Sequence, residues 1–184
     1  MANTPFSSKT VFGIKAPVGH ASSVAALMET IGSGAVTAPF AEAENSEVII
    51  VIGANPTINH PVAATFIKNA TKAGSKLIVM DPRGQALSRH ATHMIQFKPS
   101  SDVAMLNGMI NTIIGEGLYD QQYVDGFTEG FEELKKSTTE FTPERMSAIC
   151  GIEPNTIRKM ARIYAKAESA LIFWGMGVSQ HTHG

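Results

Sequence analysis

The feature that most constrains the fold is a run of five consecutive β-branched residues, Val48–Ile52, which ends at Gly53. A strand with one face in water alternates apolar and polar residues, whereas a strand covered on both faces can be apolar throughout. Two further apolar runs, Lys76–Met80 and Ser169–Trp174, have the same character, and helical patterns lie between the runs. Strands that alternate with helices predict βαβ units.

Capping residues bound the predicted helices. Ser22 or Ser23 can cap a first helix that stops at Gly32, and Pro61 fits the first turn of a helix over Val62–Lys72. Further helices are predicted from Ser100 or Ser101 to Gly117, in short pieces between Asp120 and Ile149, and from Pro154 onward, with a short strand around Met94–Phe97. The fold class is therefore α/β: a doubly wound, mostly parallel sheet with helices on both faces, in a Rossmann-like arrangement.

Composition limits the classes of function. The chain has 184 residues, 43% of them hydrophobic, and a formal net charge of −1, which argues against nucleic-acid binding. No apolar run is long enough to cross a bilayer and no signal-peptide layout is present, so we predict a cytoplasmic protein without a membrane partner. Residues 1–19 read as a tail, unstructured or added in cloning, and residues 20–184 as a single domain.

Ligands of open α/β sheets bind beyond the carboxyl ends of the strands. Three loops occupy that place: Gly53–His60, Asp81–Gln85 and Gly175–Gln180. Asp81, at the tip of the second strand, stands where ribose hydroxyls of a nucleotide are held, and Arg83 offers a planar fork for phosphate or a base edge. A turn with a capping Asp is about as probable from these residues alone.

The familiar dinucleotide fingerprint is missing, because Gly53 is followed by Ala-Asn-Pro instead of a second glycine. A plain nicotinamide dehydrogenase is therefore disfavoured. The histidine pairs at 90/93 and 181/183 lack carboxylates or cysteines at ligand spacing, so no metal site is predicted within the chain. The single cysteine, Cys150, excludes an internal disulfide or a Cys-ligated cluster, and its apolar context favours packing.

Three segments, Val48–Thr57, Lys76–Arg83 and Trp174–Gln180, come in the order seen in molybdopterin-dependent oxidoreductases. The stretch from His20 to Leu27 narrows the resemblance to the catalytic (alpha) subunit of formate dehydrogenases, and the likeness extends from His20 to Gly184. Those enzymes are far longer. The chain therefore resembles a fragment of one: a single α/β domain that binds molybdopterin guanine dinucleotide, with molybdenum or tungsten, while iron–sulfur clusters belong to parts outside it.

The resemblance implies a set of cofactor-binding residues. Gly53, Asn55, Thr57 and Asn59 would line the nucleotide end; Asp81 and Arg83 would contact the guanosine; Ser101 and Asp102 would help hold the base; Gly175, Met176 and Gln180 would approach the pterin. His20 would handle protons beside the metal. The family places Cys or selenocysteine, the metal ligand, directly before that histidine, but here the position is Gly19, which has no side chain to donate.

The resemblance implies two-electron oxidation of formate to carbon dioxide in the intact enzyme, in partnership with its remaining domains or subunits. Alone, the chain is expected to be inactive, and exposed apolar surface would favour a homodimer. An alternative is a stand-alone guanine-nucleotide-binding or interaction module without redox activity. A third reading, the central domain of thiamine-diphosphate enzymes, predicts no preference for guanine and gives no reason for the His20 segment.

Overall fold

The structure is a computed structural model that describes residues 11–13, 21–34 and 38–181. Its backbone contacts divide the chain into two compact units. The sheet unit comprises Val11–Gln96 together with Ser169–Gly184, and in the helical unit the structure describes Phe97–Glu168. The helical unit is thus inserted, in sequence, into the sheet unit, a division that the sequence analysis did not anticipate.

Within the residues that the structure describes, the sheet unit is built on five parallel strands. They are β1 (Val11–Gly13), β2 (Val48–Ile52), β3 (Lys76–Met80), β4 (His93–Ile95) and β5 (Ala170–Trp174). Their order in the sheet is β1-β5-β2-β3-β4, and every pairing is parallel. The predicted α/β class and parallel sheet are confirmed. Val11–Gly13 falls in the stretch assigned to the tail, yet its backbone pairs with Leu171–Phe173 as an edge strand.

The helices follow the predicted order along the chain. They are α1 (Ala21–Ile31), α2 (Pro56–Asn59), α3 (Pro61–Ala73), α4 (Asp102–Gly115), α5 (Gln121–Phe127), α6 (Phe131–Thr138), α7 (Pro143–Cys150), α8 (Pro154–Ala165) and α9 (Met176–Ser179), with 3-10 turns at Phe40–Asn45 and Ala86–His90. Helix α3 has Pro61 in its first turn and ends at Gly74, whose φ of 115° lets its amide donate to the carbonyls of Ala70 and Thr71.

The core of the sheet unit surrounds β2, all of whose residues are buried. Ile49 and Val51 cluster with residues of the neighbouring strands and of α3. The other members of this cluster are Ala43, Ile67, Ala70, Leu77, Val79, Leu87, Leu171 and Phe173. Burying each large aliphatic side chain contributes about 1.5–3 kcal/mol, so a strand apolar on both faces is held in the middle of the sheet.

The helical unit packs α4 against α7 and α8. Gly108 allows this approach, because a Cβ there would lie 3.1 Å from Ile157 Cγ2 and 3.3 Å from Met146 Cβ. Cys150 is buried, in line with a packing role. Over the ranges that the structure describes, no helix is long and apolar enough to span a bilayer, and no group of three His, Cys, Asp or Glu side chains is assembled for a metal.

Candidate functional site

The loops after β2, β3 and β5 meet at one edge of the sheet. The amide of Gly53 donates to Met80 O at 3.0 Å, and the amide of Gly175 donates to Ile52 O at 3.2 Å. Because these bonds join the carboxyl ends of neighbouring parallel strands, the three loops form one surface. We call this surface the rim, and it consists of residues 53–60, 81–85 and 175–180.

Two of the loops touch backbone to backbone. Gly177 donates its amide hydrogen to Gly53 O at 3.0 Å. A Cβ added to Gly175 or to Gly177 would lie 2.7 Å from that same oxygen, closer than real Cβ contacts. Gly53 itself has a φ of 56°, in the left-handed region that favours glycine. Glycine at these positions therefore lets the loops after β2 and β5 pack directly against each other.

Asp81 is the buried carboxylate of the rim, with 2% of its surface exposed. Its Oδ1 accepts a hydrogen bond of 2.8 Å from the amide of Arg83 and lies 3.7 Å from Arg83 Nε. The side chain of Arg83 is 82% exposed. The carboxylate is thus fixed in orientation, while the adjacent guanidinium extends into solvent where it can reach an anionic group.

The remaining predicted residues of the rim are more exposed. Thr57 Oγ1 donates to Asn55 Oδ1 at 2.6 Å, and both residues are half-buried. Asn59 closes α2 on the surface, and Met176, which begins α9, and Gln180, which directly follows α9, are also exposed. The structure therefore brings together, on one rim, the sequence-predicted residues of all three loops.

Gln85 is a rim residue that the sequence analysis did not single out. Its Nε2 donates to Ala54 O at 3.1 Å and to Asp81 Oδ2 at 3.2 Å, which joins the loop after β2 to the loop after β3. Its Oε1 is buried and has no hydrogen-bond partner among the residues that the structure describes. Its residue type gives no signal in the sequence, because glutamines in loops are mostly exposed. The only signal is its place four residues after Asp81.

Ser101 and Asp102 belong to the helical unit. Ser101 Oγ donates to Lys98 O at 2.6 Å and does not cap α4. Asp102, with 2% of its surface exposed, begins α4, and its Oδ2 lacks a hydrogen-bond partner in the described part of the chain. A buried unpaired acceptor indicates a place for a donor. His20 and Gly19 lie outside the described residues.

Comparisons with known proteins show to which family the chain is similar. Residues 9–184 match the family model described as molybdopterin oxidoreductase. The chain is 43% identical over 169 residues to formate dehydrogenase H of Escherichia coli, and 40% identical to the F420-dependent formate dehydrogenase subunit alpha of Methanocaldococcus jannaschii. Both alignments cover 92% of the chain, which spans about a quarter of the length of these relatives (24% and 25%).

A solved structure shows the same fold. The acetylene hydratase from Pelobacter acetylenicus superposes with a TM-score of 0.68 at 35% sequence identity. That superposition covers 72% of this chain and 18% of the other. The family model matches residues 9–184, which leads to one conclusion: the chain belongs to the molybdopterin oxidoreductase family.

Proposed function

We propose that the rim holds the guanosine end of a molybdopterin guanine dinucleotide, as part of the catalytic subunit of a formate dehydrogenase. Membership of the family implies a molybdopterin cofactor with molybdenum or tungsten. The relatives named as formate dehydrogenases, which align with 92% of the chain, support the choice of formate as the substrate. The other domains or subunits, with any iron–sulfur clusters, would be its partners in the cytoplasm.

One observation carries the proposal: a buried, oriented carboxylate, Asp81, stands at the carboxyl end of β3 and is joined through Gln85 to the loop after β2. Carboxylates at this place accept hydrogen bonds from ribose hydroxyls. The exposed fork of Arg83 suits a phosphate or the edge of a base. The residues present therefore fit a nucleotide.

The chain's own residues would bind and orient the cofactor. Asp81 would accept from the ribose, and Arg83 would offset phosphate charge. Asn55, Thr57 and Asn59 would line the nucleotide, and the Gly175–Gln180 loop would approach the pterin. When bound, the cofactor supplies the two-electron oxidation of formate to carbon dioxide. His20 would accept the released proton on its imidazole, while Gly19 offers no ligand to a metal.

Ser101 and Asp102 are proposed, independently of the rim, to bind the guanine base. The unpaired Oδ2 of Asp102 supports this role, because the guanine ring edge carries N–H donors that such an oxygen can accept. An Asp102→Asn variant would then lose the preference for guanosine diphosphate over inosine diphosphate. If Asp102→Asn and the wild-type chain show the same preference between these two nucleotides, Asp102 does not bind the guanine base.

The function is tested by calorimetric titration of the purified chain with guanosine diphosphate. We expect saturable binding in the wild-type chain and a loss of tenfold or more in Asp81→Ala, since about 1.5–3 kcal/mol is typical for a hydrogen bond to a charged group. Asp125→Ala removes a carboxylate on α5 and should bind as the wild type does. Absence of binding in the wild-type chain, or equal binding in Asp81→Ala, would contradict the proposal.

A further inference from the structure

Gln85 makes the contacts that tie two loops of the rim together. The carboxamide nitrogen Nε2 donates to Ala54 O and to Asp81 Oδ2, at 3.1 and 3.2 Å. A primary amide has two N–H donors, so both are used. Ala54 lies between Gly53 and Asn55, and Gln85 therefore holds the β2 loop and the carboxylate of Asp81 with one group.

The same contacts leave the other end of the amide unsatisfied. The terminal atom that contacts two acceptors must be the amide nitrogen, because the amide oxygen cannot donate. The other terminal atom is therefore the oxygen Oε1, which is buried without a hydrogen-bond partner in the described ranges. An apolar side chain of similar size would avoid the desolvation cost of that oxygen. A residue selected for packing alone would therefore be apolar at this position, and the glutamine has a task that Met or Leu cannot perform.

That task concerns the orientation of Asp81. Arg83 N occupies Oδ1 at 2.8 Å, and Gln85 Nε2 occupies Oδ2. Each carboxylate oxygen can accept two hydrogen bonds, so each keeps capacity for one more donor. Two fixed donors, one on each oxygen, determine where the remaining lone pairs point.

We infer that Gln85 is a positioning residue, which acts through Asp81 to select nucleotides with free 2′ and 3′ ribose hydroxyls. This inference rests on the proposed function of the rim. Gln85 is buried, with 8% of its surface exposed, and its Nε2 donates to Asp81 Oδ2 and to Ala54 O, so it acts through these two residues. The vicinal hydroxyls of a ribose are the donors that match the two free acceptor positions of Asp81.

Calorimetry with the full chain tests the inference, with guanosine diphosphate and its 2′,3′-dideoxy analogue as probes. Gln85→Met removes the donors at nearly constant volume, and Gln85→Leu serves if that variant does not fold. We expect about tenfold weaker binding of guanosine diphosphate and little change for the dideoxy analogue. In an Asp81→Ala background, Gln85→Met should cause no further loss, because the two residues act as one unit.

The matched control is Gln121→Met. Gln121 is an exposed glutamine on α5 whose Nε2 also donates to an aspartate, Asp125 Oδ1, at 2.7 Å. This variant should keep the wild-type preference for the ribose. The inference is overturned if Gln85→Met keeps that preference while Asp81→Ala loses it.

Hydrogen exchange at the Arg83 amide separates this inference from the proposed function. That amide donates to Asp81 Oδ1, so release of the carboxylate in Gln85→Met should speed its exchange by about tenfold, with or without nucleotide. Unchanged exchange would show that Gln85 does not hold Asp81 and would overturn the inference. If the wild-type chain does not bind guanosine diphosphate, the proposed function and the ribose selection fail together. Faster exchange of the Arg83 amide in Gln85→Met would then show only that Gln85 positions Asp81.

Discussion

Gly177 and Gly53 meet so closely in the rim that a methyl group on Gly177 would lie 2.7 Å from Gly53 O. We expect Gly177→Ala to push the two loops apart and to lower the free energy of unfolding by about 1–3 kcal/mol, as overpacking does. Chemical unfolding measures the change. Gly84→Ala is the control, because a Cβ there meets nothing within 4 Å and Gly84 lies in the same rim. Equal stability of the two variants would show that the loops separate without cost.

Tyr164 gives the helical unit a defined response to alkaline pH. Burial raises the pKa of its phenol from 10.0 to about 12. Between pH 10 and pH 12 the phenol of the unfolded chain has lost its proton, while the phenol of the folded chain keeps it. The contribution of this phenol to the free energy of unfolding is therefore complete below pH 10 and is lost as the pH rises to 12. Unfolding titrations should therefore show that the wild-type chain loses up to about 2 kcal/mol more stability across this window than Tyr164→Phe.

The control for Tyr164 is Tyr123→Phe, which removes the hydroxyl of a residue with 45% of its surface exposed and so reports the effect of this substitution on the alkaline slope at an exposed position. If Tyr164→Phe keeps the wild-type slope, the phenol does not titrate differently in the folded and unfolded chains.

The residues of the rim were predictable to different degrees. Asp81 could be identified because its position follows from the end of an apolar run, and its burial supports that reading. The importance of Gln85 could not, since it depends on Ala54 O, which only the pairing of β2 with β3 brings within reach. The contact of Gly53 with Gly177 is likewise invisible in sequence, because it joins loops that are far apart along the chain.

At the level of elements, two of the three strands with a strong apolar pattern were predicted to the residue, and the third begins at Ala170, one residue after the predicted Ser169. Val48–Ile52 and Lys76–Met80 have the bounds expected from the sequence. The strand expected around Met94–Phe97 is His93–Ile95, shifted because its register is set by pairing with β3. β1 was not predicted, since its three residues carry no periodicity and its pairing with β5 is entirely non-local.

Helix α5 depends on one cap that can be tested alone. Asp120 is buried, and its Oδ1 accepts a hydrogen bond of 3.0 Å from the amide of Tyr123. We expect Asp120→Ala to cost about 1 kcal/mol of stability and Asp120→Asn, which keeps the acceptor, to cost much less. Chemical unfolding and hydrogen exchange at the Tyr123 amide report both effects.

Asp125, on the same helix, provides the comparison for the cap. Its carboxylate accepts from Gln121 on the surface, so Asp125→Ala should cost only a few tenths of a kcal/mol. If Asp120→Ala is as mild as Asp125→Ala, the cap does not contribute to the stability of α5.

At the scale of the molecule, the redox reaction and the binding of nucleotide should be separable. The chain incubated with formate, a dye acceptor and molybdenum cofactor should give no turnover, because Gly19 offers no side chain where the resemblance expects a metal ligand. Dye reduction measured spectrophotometrically tests this, with a full-length formate dehydrogenase as the positive control. Turnover by the chain would refute the expectation.

The order of the strands also bears on how the protein is made. β2 lies between β3 and β5, yet β5 is the last of the strands that the structure describes and comes after Phe97–Glu168 in the sequence. While a ribosome is still synthesising Phe97–Glu168, one side of Val48–Ile52 has no neighbour to pair with, and it is an apolar edge of the kind that recruits other chains. Slow translation of that insertion would prolong the exposure, so the yield of native protein in a cell should depend on how quickly Ala170–Trp174 emerges.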